Sequence, residues 1–320
     1  MRAPSAGCSH CARMRRESGA AIILAVLTLA LVAGLASMVL RDYGAAVASL
    51  TGRHDQVQAR LLARGAVDWA RNVLAEDARR TTIDHFGESW TIRIPPTPVE
   101  DGEVSGELEE LSGRFDLNSL VRGGVADPVR SAIYQRLLSG LGVAPPEAAS
   151  LAASLIDWID ADNTVTPPDG AESDWYARMA PPRAAANAPL TDVDELRLVR
   201  GYSVDLVNRL RPIVTALPVT APLNVNTASA EVLAAIVPGL GLDGARLLTA
   251  KRLSVPFKNL ADFIARLPRA DLRPDTLPLS VTSRYFIASG RARYGVATTR
   301  MQVLLDRAQI WPDIIWQKIL

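Results

Sequence analysis

The rhythm of apolar and polar positions changes several times along this chain. Arg13, Arg15 and Arg16 precede an uncharged run from Gly19 to Leu40. Wound as a helix, Ala20–Leu40 rises about 30 Å, enough to cross the hydrocarbon core of a bilayer. The basic flank favours a cytoplasmic N-terminus, with everything after Arg41 outside. Three readings fit such a run: a cleaved secretory signal, with Gly34-Leu35-Ala36 as a small-residue cleavage site; a plain membrane anchor; or the apolar start of a prepilin, cut on the cytoplasmic side just before the run.

The residues after the run favour the third. No proline occurs between Ala21 and Ile94, and good helix formers dominate Val47–Arg80. Leu50, Val57, Leu61, Leu62, Ala66, Trp69 and Val73 recur at steps near three, four and seven, the mark of one apolar stripe. The spacing predicts a single long helix over residues 20–80, running from the membrane into an amphipathic half that packs on a globular body. Gly44, Gly52 and Gly65 leave room for a kink.

Glu88–Pro96 (ESWTIRIPP) then alternates and ends in prolines, as a short strand does, and Glu107–Leu120 reads as a strand and turn. From Asp127 the period turns helical. Helices are expected at Val129–Leu141, Pro146–Ala161, Val193–Val199, Val204–Ala216, Ser229–Val237, Asp243–Lys251 and Leu260–Leu267. Near the end, Arg284–Ala292 and Val296–Asp306 alternate again, as a hairpin around Tyr294-Gly295. The economical fold is α+β and pilin-like. A long transmembrane and amphipathic helix is followed by a small antiparallel sheet from residues 81–121 and 283–320, interrupted by a large α-helical insertion over residues 122–282.

Composition changes this picture little. At 320 residues with a net charge of +1, the chain lacks the basic excess of a nucleic-acid binder. Cys8 and Cys11 have the spacing of half a zinc site or of a redox pair, but no second Cys/His pair follows at suitable spacing, and Met14 is an alternative start that leaves both outside the protein. His10, His54 and His85 sit beside no nucleophile motif, and no phosphate-cradling loop occurs, so no catalytic site is expected. Trp90, Trp158 and Trp175 read as core or loop anchors, and His54 as a surface or groove residue on the helix.

Two segments carry candidate chemistry. Asp157, Asp160, Asp162, Asn163, Asp169, Glu172 and Asp174 form the densest run of oxygen ligands. They read either as a solvated acidic loop or as a site for a hard cation such as calcium, whose charge would relieve their repulsion. Leu223–Glu231, succeeded by Pro238-Gly239-Leu240-Gly241, resembles a helix-hairpin-helix motif, which in DNA-binding proteins offers backbone N–H groups to phosphate. A membrane-anchored DNA receptor of the competence type is the alternative this raises. The flanking charges form no basic stripe and the second hairpin of a tandem pair is missing, so nucleic acid is not expected as a partner. Asn226 and Thr227 are then expected as turn and helix N-cap residues.

The N-terminus carries a specific resemblance. Arg-Arg-Glu-Ser-Gly followed by Ala-Ala-Ile-Ile-Leu resembles a prepilin-peptidase site, with the cut between Gly19 and Ala20 and residues 1–19 as leader. Pilins and pseudopilins carry glutamate at the fifth mature position; here it is Leu24, a departure characteristic of the GspK family of minor pseudopilins in type II secretion systems. Gly113–Leu120 and the Asp157–Asp162 and Gly170–Glu172 stretches are similar to segments of the same family. The resemblance implies a single-pass inner-membrane protein with a periplasmic body, placed at the pseudopilus tip to help start assembly and protein export. It implies partnership with minor pseudopilins of the I, J and H types, the major pseudopilin and, at the tip, secreted exoproteins. It further implies processing by prepilin peptidase, methylation of the new N-terminus, and calcium on Asp157, Asp160, Asp162, Asp169, Glu172 and Asp174. A minor pilin of a related type IV pilus system is the neighbouring alternative.

Overall fold

The structure, a computed structural model, describes residues 11–320, with side chains from Gly19 onward. Cys8, His10 and most of the expected leader lie outside the described residues. Helix α1 (Cys11–Arg80) is continuous over 70 residues, with no interruption at Gly44, Gly52 or Gly65. Residues Gly19–Leu50 are exposed throughout, and the most apolar part reaches a mean hydropathy of 2.7. An uncovered surface of that polarity is suited to lipid.

Beyond Leu50 the helix lies on a sheet, but not by the stripe expected. The buried face consists of Ala59, Ala63, Val67, Ala70 and Leu74, while Leu50, Val57, Leu61 and Trp69 are exposed. Leu62, Ala66 and Val73 occupy the margin, partly buried. A Cβ added at Gly290 of the sheet would lie 3.9 Å from the Ala66 Cβ, and alanines make up most of the contact, with Val67 and Leu74 beside them.

The sheet has five antiparallel strands in sequential order: β1 (Ile94–Val99), β2 (Gly102–Glu110), β3 (Tyr285–Tyr294), β4 (Ala297–Asp306) and β5 (Asp313–Ile319). Gly106 faces Gly290 in the β2–β3 register and Tyr294 faces Ala297 across the hairpin. The expected strand at Glu88–Pro96 is displaced. Ser89–Thr91 makes a 3₁₀ turn that buries Trp90, whose Nε1 donates to Glu88 at 2.8 Å, and β1 begins only at Ile94. Its prolines suit an edge position, where a missing donor faces solvent. Strand β5, which the sequence pattern did not announce, is the opposite edge and exposed along nearly its whole length.

Between β2 and β3 the chain builds a second core, which Phe115 already enters. Its helices are α2 (Pro128–Gly140), α3 (Pro145–Ile159), α4 (Ser173–Tyr176), α5 (Val204–Leu210), α6 (Ala230–Ile236), α7 (Gly241–Ser254) and α8 (Leu260–Ala265). Val193–Leu198 is a 3₁₀ helix. The helix expected through Ala216 stops at Leu210, ahead of Pro212. Val214–Thr215 instead pairs in parallel with Phe115–Asp116, as Leu223–Asn224 does with Leu279–Ser280. Leu111, Leu217, Tyr285 and Leu304 join the two bodies.

Candidate functional site

Helix α3 starts at a proline, after which its apolar residues bury almost every position from Leu151 to Ile159. The run ends where the acidic residues begin. Asp157, on the last turn, is fully buried. Its Oδ1 accepts the Thr166 N–H at 2.9 Å, which folds the adjoining loop back over the helix end. Asp160 caps the helix. Asp162 accepts the Thr164 N–H at 2.7 Å, an Asx-type turn. Gly170 then passes so near the helix that an added Cβ would lie 2.1 Å from Asp157 Oδ2. That close passage delivers Glu172, itself buried, to the same spot.

Carboxylate oxygens of Asp160, Asp162 and Glu172 come within 4.8 Å of one another, and Asp157 borders them. Among the described residues, no Lys or Arg forms an ion pair with any of these four. Asp157 Oδ2, Asp160 Oδ1 and both Glu172 oxygens are sequestered without a hydrogen-bond donor. Burial, reinforced by the neighbouring carboxylates, lifts Asp160 to about 6 and Glu172 to about 7, and burial also raises Asp157. Acceptors gathered without a donor are satisfied by a cation. An all-oxygen donor set on a loop fits calcium, which takes six to eight oxygens in flexible geometry, better than a nitrogen- and sulfur-seeking zinc.

The six sequence candidates divide. Asp160, Asp162 and Glu172 converge, with Asp157 beside them. Asp169 turns outward to Arg200, at 2.9 Å, and Asp174 is exposed on α4. A second acidic group, Asp77, Asp84 and Glu88, went unrecognised in the sequence. It contains its own cation, since Arg307 pairs with Asp77 at 3.1 Å and with Asp84. Nothing local could have signalled it, because Arg307 stands 230 residues from Asp77.

The remaining candidates fall at scattered places. Gly19, Ala20 and Leu24 lie within α1, exposed. His54 is exposed, with its ring edge-on to Tyr294 at 6.1 Å. Trp90 and Trp158 are buried, and Trp175 packs against Tyr176 under Arg200. In the hairpin-like segment Asn226 lies in a turn, as expected, but Thr227 does not cap the helix that follows. The Asn226 amide bonds both the carbonyl and the N–H of Phe257, at 2.9 and 2.8 Å, and Ser229 caps α6 instead. A cap needs a side chain at the helix boundary, and the boundary falls later than expected.

Known proteins resemble this chain over most of its length. The family "Type II secretion system (T2SS), protein K" matches residues 113–219 and again 223–282. The chain is 36% identical to Type II secretion system protein K of Pseudomonas aeruginosa, covering 94% of this chain and 91% of that protein. It is 33% identical to the Klebsiella pneumoniae protein of the same description, covering 91% and 93%. Among solved structures, it superposes on a chain of the GspK–GspI–GspJ complex from the type 2 secretion system of enterotoxigenic Escherichia coli. The TM-score is 0.76 at 26% identity, over 85% of this chain and 99% of that one.

Proposed function

The chain belongs to the type II secretion system protein K family, and from that premise we propose that it is the minor pseudopilin at the tip of a short periplasmic pseudopilus. In this reading prepilin peptidase cuts between Gly19 and Ala20. The apolar run stays in the inner membrane, and the new N-terminus is methylated. The body assembles with I-, J- and H-type minor pseudopilins, as the GspK of the solved complex does with GspI and GspJ. From there it primes addition of the major pseudopilin and meets exoproteins.

One observation carries the assembly reading. Leu50, Val57 and Leu61, spaced by seven and four, form an exposed apolar line on the side of α1 away from the sheet. Apolar surface on a helix costs about 25 cal/mol per Å² while it faces water, and the ridges of a neighbouring helix cover it. Leu24 suits the tip. A buried glutamate at that position pairs with the amine of a neighbouring subunit, and an unpaired charge in the bilayer is costly. A subunit with none above it has no such amine to receive.

We read the Asp157–Asp160–Asp162–Glu172 cage as a calcium site. A bound cation supplies positive charge, which joins the end of α3 to the Gly170–Glu172 segment. The cage is structural in this reading and takes no part in a reaction.

The assembly reading is tested in membranes. The mature N-terminus is expected at Ala20; a start at Ser37 would indicate an ordinary secreted protein. The mature chain then has no cysteine, so a single cysteine at Leu61 is expected to cross-link to another minor pseudopilin, and one at Ala63 is not. Leu24→Glu is expected to leave secretion nearly intact.

A further inference from the structure

The cage draws on two segments of the chain. Three of its carboxylates come from the end of α3 and its loop, and one from the Gly170–Glu172 segment. The stretch between α4 and Leu190 is anchored at its two ends, by Ala185 N–H to Ser173 Oγ at 3.2 Å and by a reciprocal pair in which Leu190 N–H donates to Asn118 Oδ1 at 2.8 Å and Asn118 Nδ2 to the Leu190 carbonyl at 2.9 Å. Between those two points stands Asn187, which holds a left-handed φ of 45°, a region that asparagine tolerates better than most residues. Its Nδ2 donates to the backbone oxygen of Asp162 at 3.0 Å, which sets the amide beside a cage residue. Its Oδ1 is sequestered and accepts no hydrogen bond.

Oδ1 of Asn187 thus shares the condition of Asp157 Oδ2, Asp160 Oδ1 and both Glu172 oxygens. With the carboxylates ionised all are acceptors, so they cannot satisfy one another. Arg183, on the same stretch, does not serve them: its guanidinium lies over the Tyr176 ring and donates to Met179 Sδ. A fifth carboxylate would add repulsion, whereas a carboxamide oxygen adds a ligand without charge, and calcium accepts such oxygens readily.

We propose that Asn187 Oδ1 is a further, neutral ligand of the cation in this cage, and that through it the cation fastens the Ala177–Leu190 stretch to the end of α3. The inference rests on the calcium reading above. It makes that stretch, not only the acidic loop, responsive to calcium. Magnesium, which is smaller and keeps most of its waters, gains less from the added ligand.

The test uses the full-length chain in detergent and titrates calcium alone and magnesium alone by calorimetry. Wild type is compared with Asn187→Gly, which keeps the left-handed backbone available, and Asn187→Asp, which keeps the oxygen. Asn187→Gly is expected to weaken calcium binding about tenfold or more, the scale seen when a metal site loses a supporting group, with little change for magnesium. Calcium is expected to protect Arg178 and Arg183 from trypsin in wild type and in Asn187→Asp, but not in Asn187→Gly. If wild type binds calcium while Asn187→Gly keeps its affinity and protection, Asn187 is no ligand and the cage reading stands. If wild type binds no calcium, the cage reading fails and this inference with it.

Discussion

Arg307, just past the end of β4, and Asp77, in the final turns of α1, form an ion pair of 3.1 Å in which both side chains are almost completely buried. The same guanidinium pairs with Asp84, donates to the Ser283 carbonyl at 2.9 Å and lies over the Phe286 ring at 4.8 Å. Asp84 in turn accepts the Ser283 N–H, and its carbonyl accepts from Asn224 at 3.1 Å. One arginine therefore ties the end of the long helix, the sheet and the entrance to the helical body.

Removing Arg307 leaves two carboxylates buried without a cation. Breaking a buried pair in this way costs about 3–5 kcal/mol. Arg307→Leu is expected to lose that much in equilibrium urea unfolding. Asp77→Asn should lose less, because Asp84 still holds the guanidinium. Equal losses would contradict the network.

The pH dependence has a defined sign. Burial, with Glu88 and Asp84 nearby, raises Asp77 to about 6, and burial raises Asp116 to about 6 as well. An acid whose pKa is higher in the folded state binds its proton more tightly there. Its contribution is complete below the unfolded value near 4 and is lost as pH rises to about 6. Asp306, held low by hydrogen bonds from Arg284, acts oppositely, stabilising above the unfolded value and losing that contribution as the solution becomes more acid. Stability in chelator is expected to fall between pH 4 and 6, less steeply in Asp77→Asn. A slope unchanged by the substitution would remove Asp77 as its source.

Chelation should lower the melting temperature and calcium should restore it, by about 2.7 kcal/mol at a hundredfold excess over Kd. The sharper expectation concerns Asp160→Asn with Glu172→Gln. With their mutual repulsion gone, this double variant should melt higher than wild type in chelator yet no longer respond to calcium. Continued response would move the metal elsewhere.

The two faces of α1 predict opposite behaviour for neighbouring residues. Ala63 is fully buried against the sheet and Leu61 is half-exposed. Ala63→Leu overpacks the contact and is expected to cost about 1–3 kcal/mol in thermal unfolding of the isolated protein. Leu61→Asp should leave that stability nearly unchanged while reducing secretion in cells. Loss of fold in Leu61→Asp would place Leu61 in the body's own core.

Local patterns announced much of this molecule. An uncharged run bounded by arginines makes a membrane-length helix regardless of the rest of the chain, because length and polarity alone decide whether it crosses a bilayer. The β3–β4 hairpin was legible because alternation and a Tyr-Gly-Val tip are neighbours in sequence, and at that tip Gly295 takes a φ of 53°. Edge strand β5 was not legible: with both faces largely exposed, burial imposes no alternation on Asp313–Ile319. The acidic loop was visible as composition, but not which of its members converge.

By itself, then, the sequence determined the long helix, the order of sheet and helical body, and the acidic residues from which the carboxylate cage is drawn. The tertiary structure decided which face of the helix meets the sheet: an alanine-rich face, with Val67 and Leu74, lies against it, while the larger residues that define the stripe stay outside. It also decided which carboxylates lose their solvent. Asp157, Asp160 and Glu172 are buried by a glycine's close passage, while Asp169 swings out to Arg200. Burial and long-range pairing depend on what the rest of the chain brings near, as Arg307 does for Asp77, and local spacing cannot encode it.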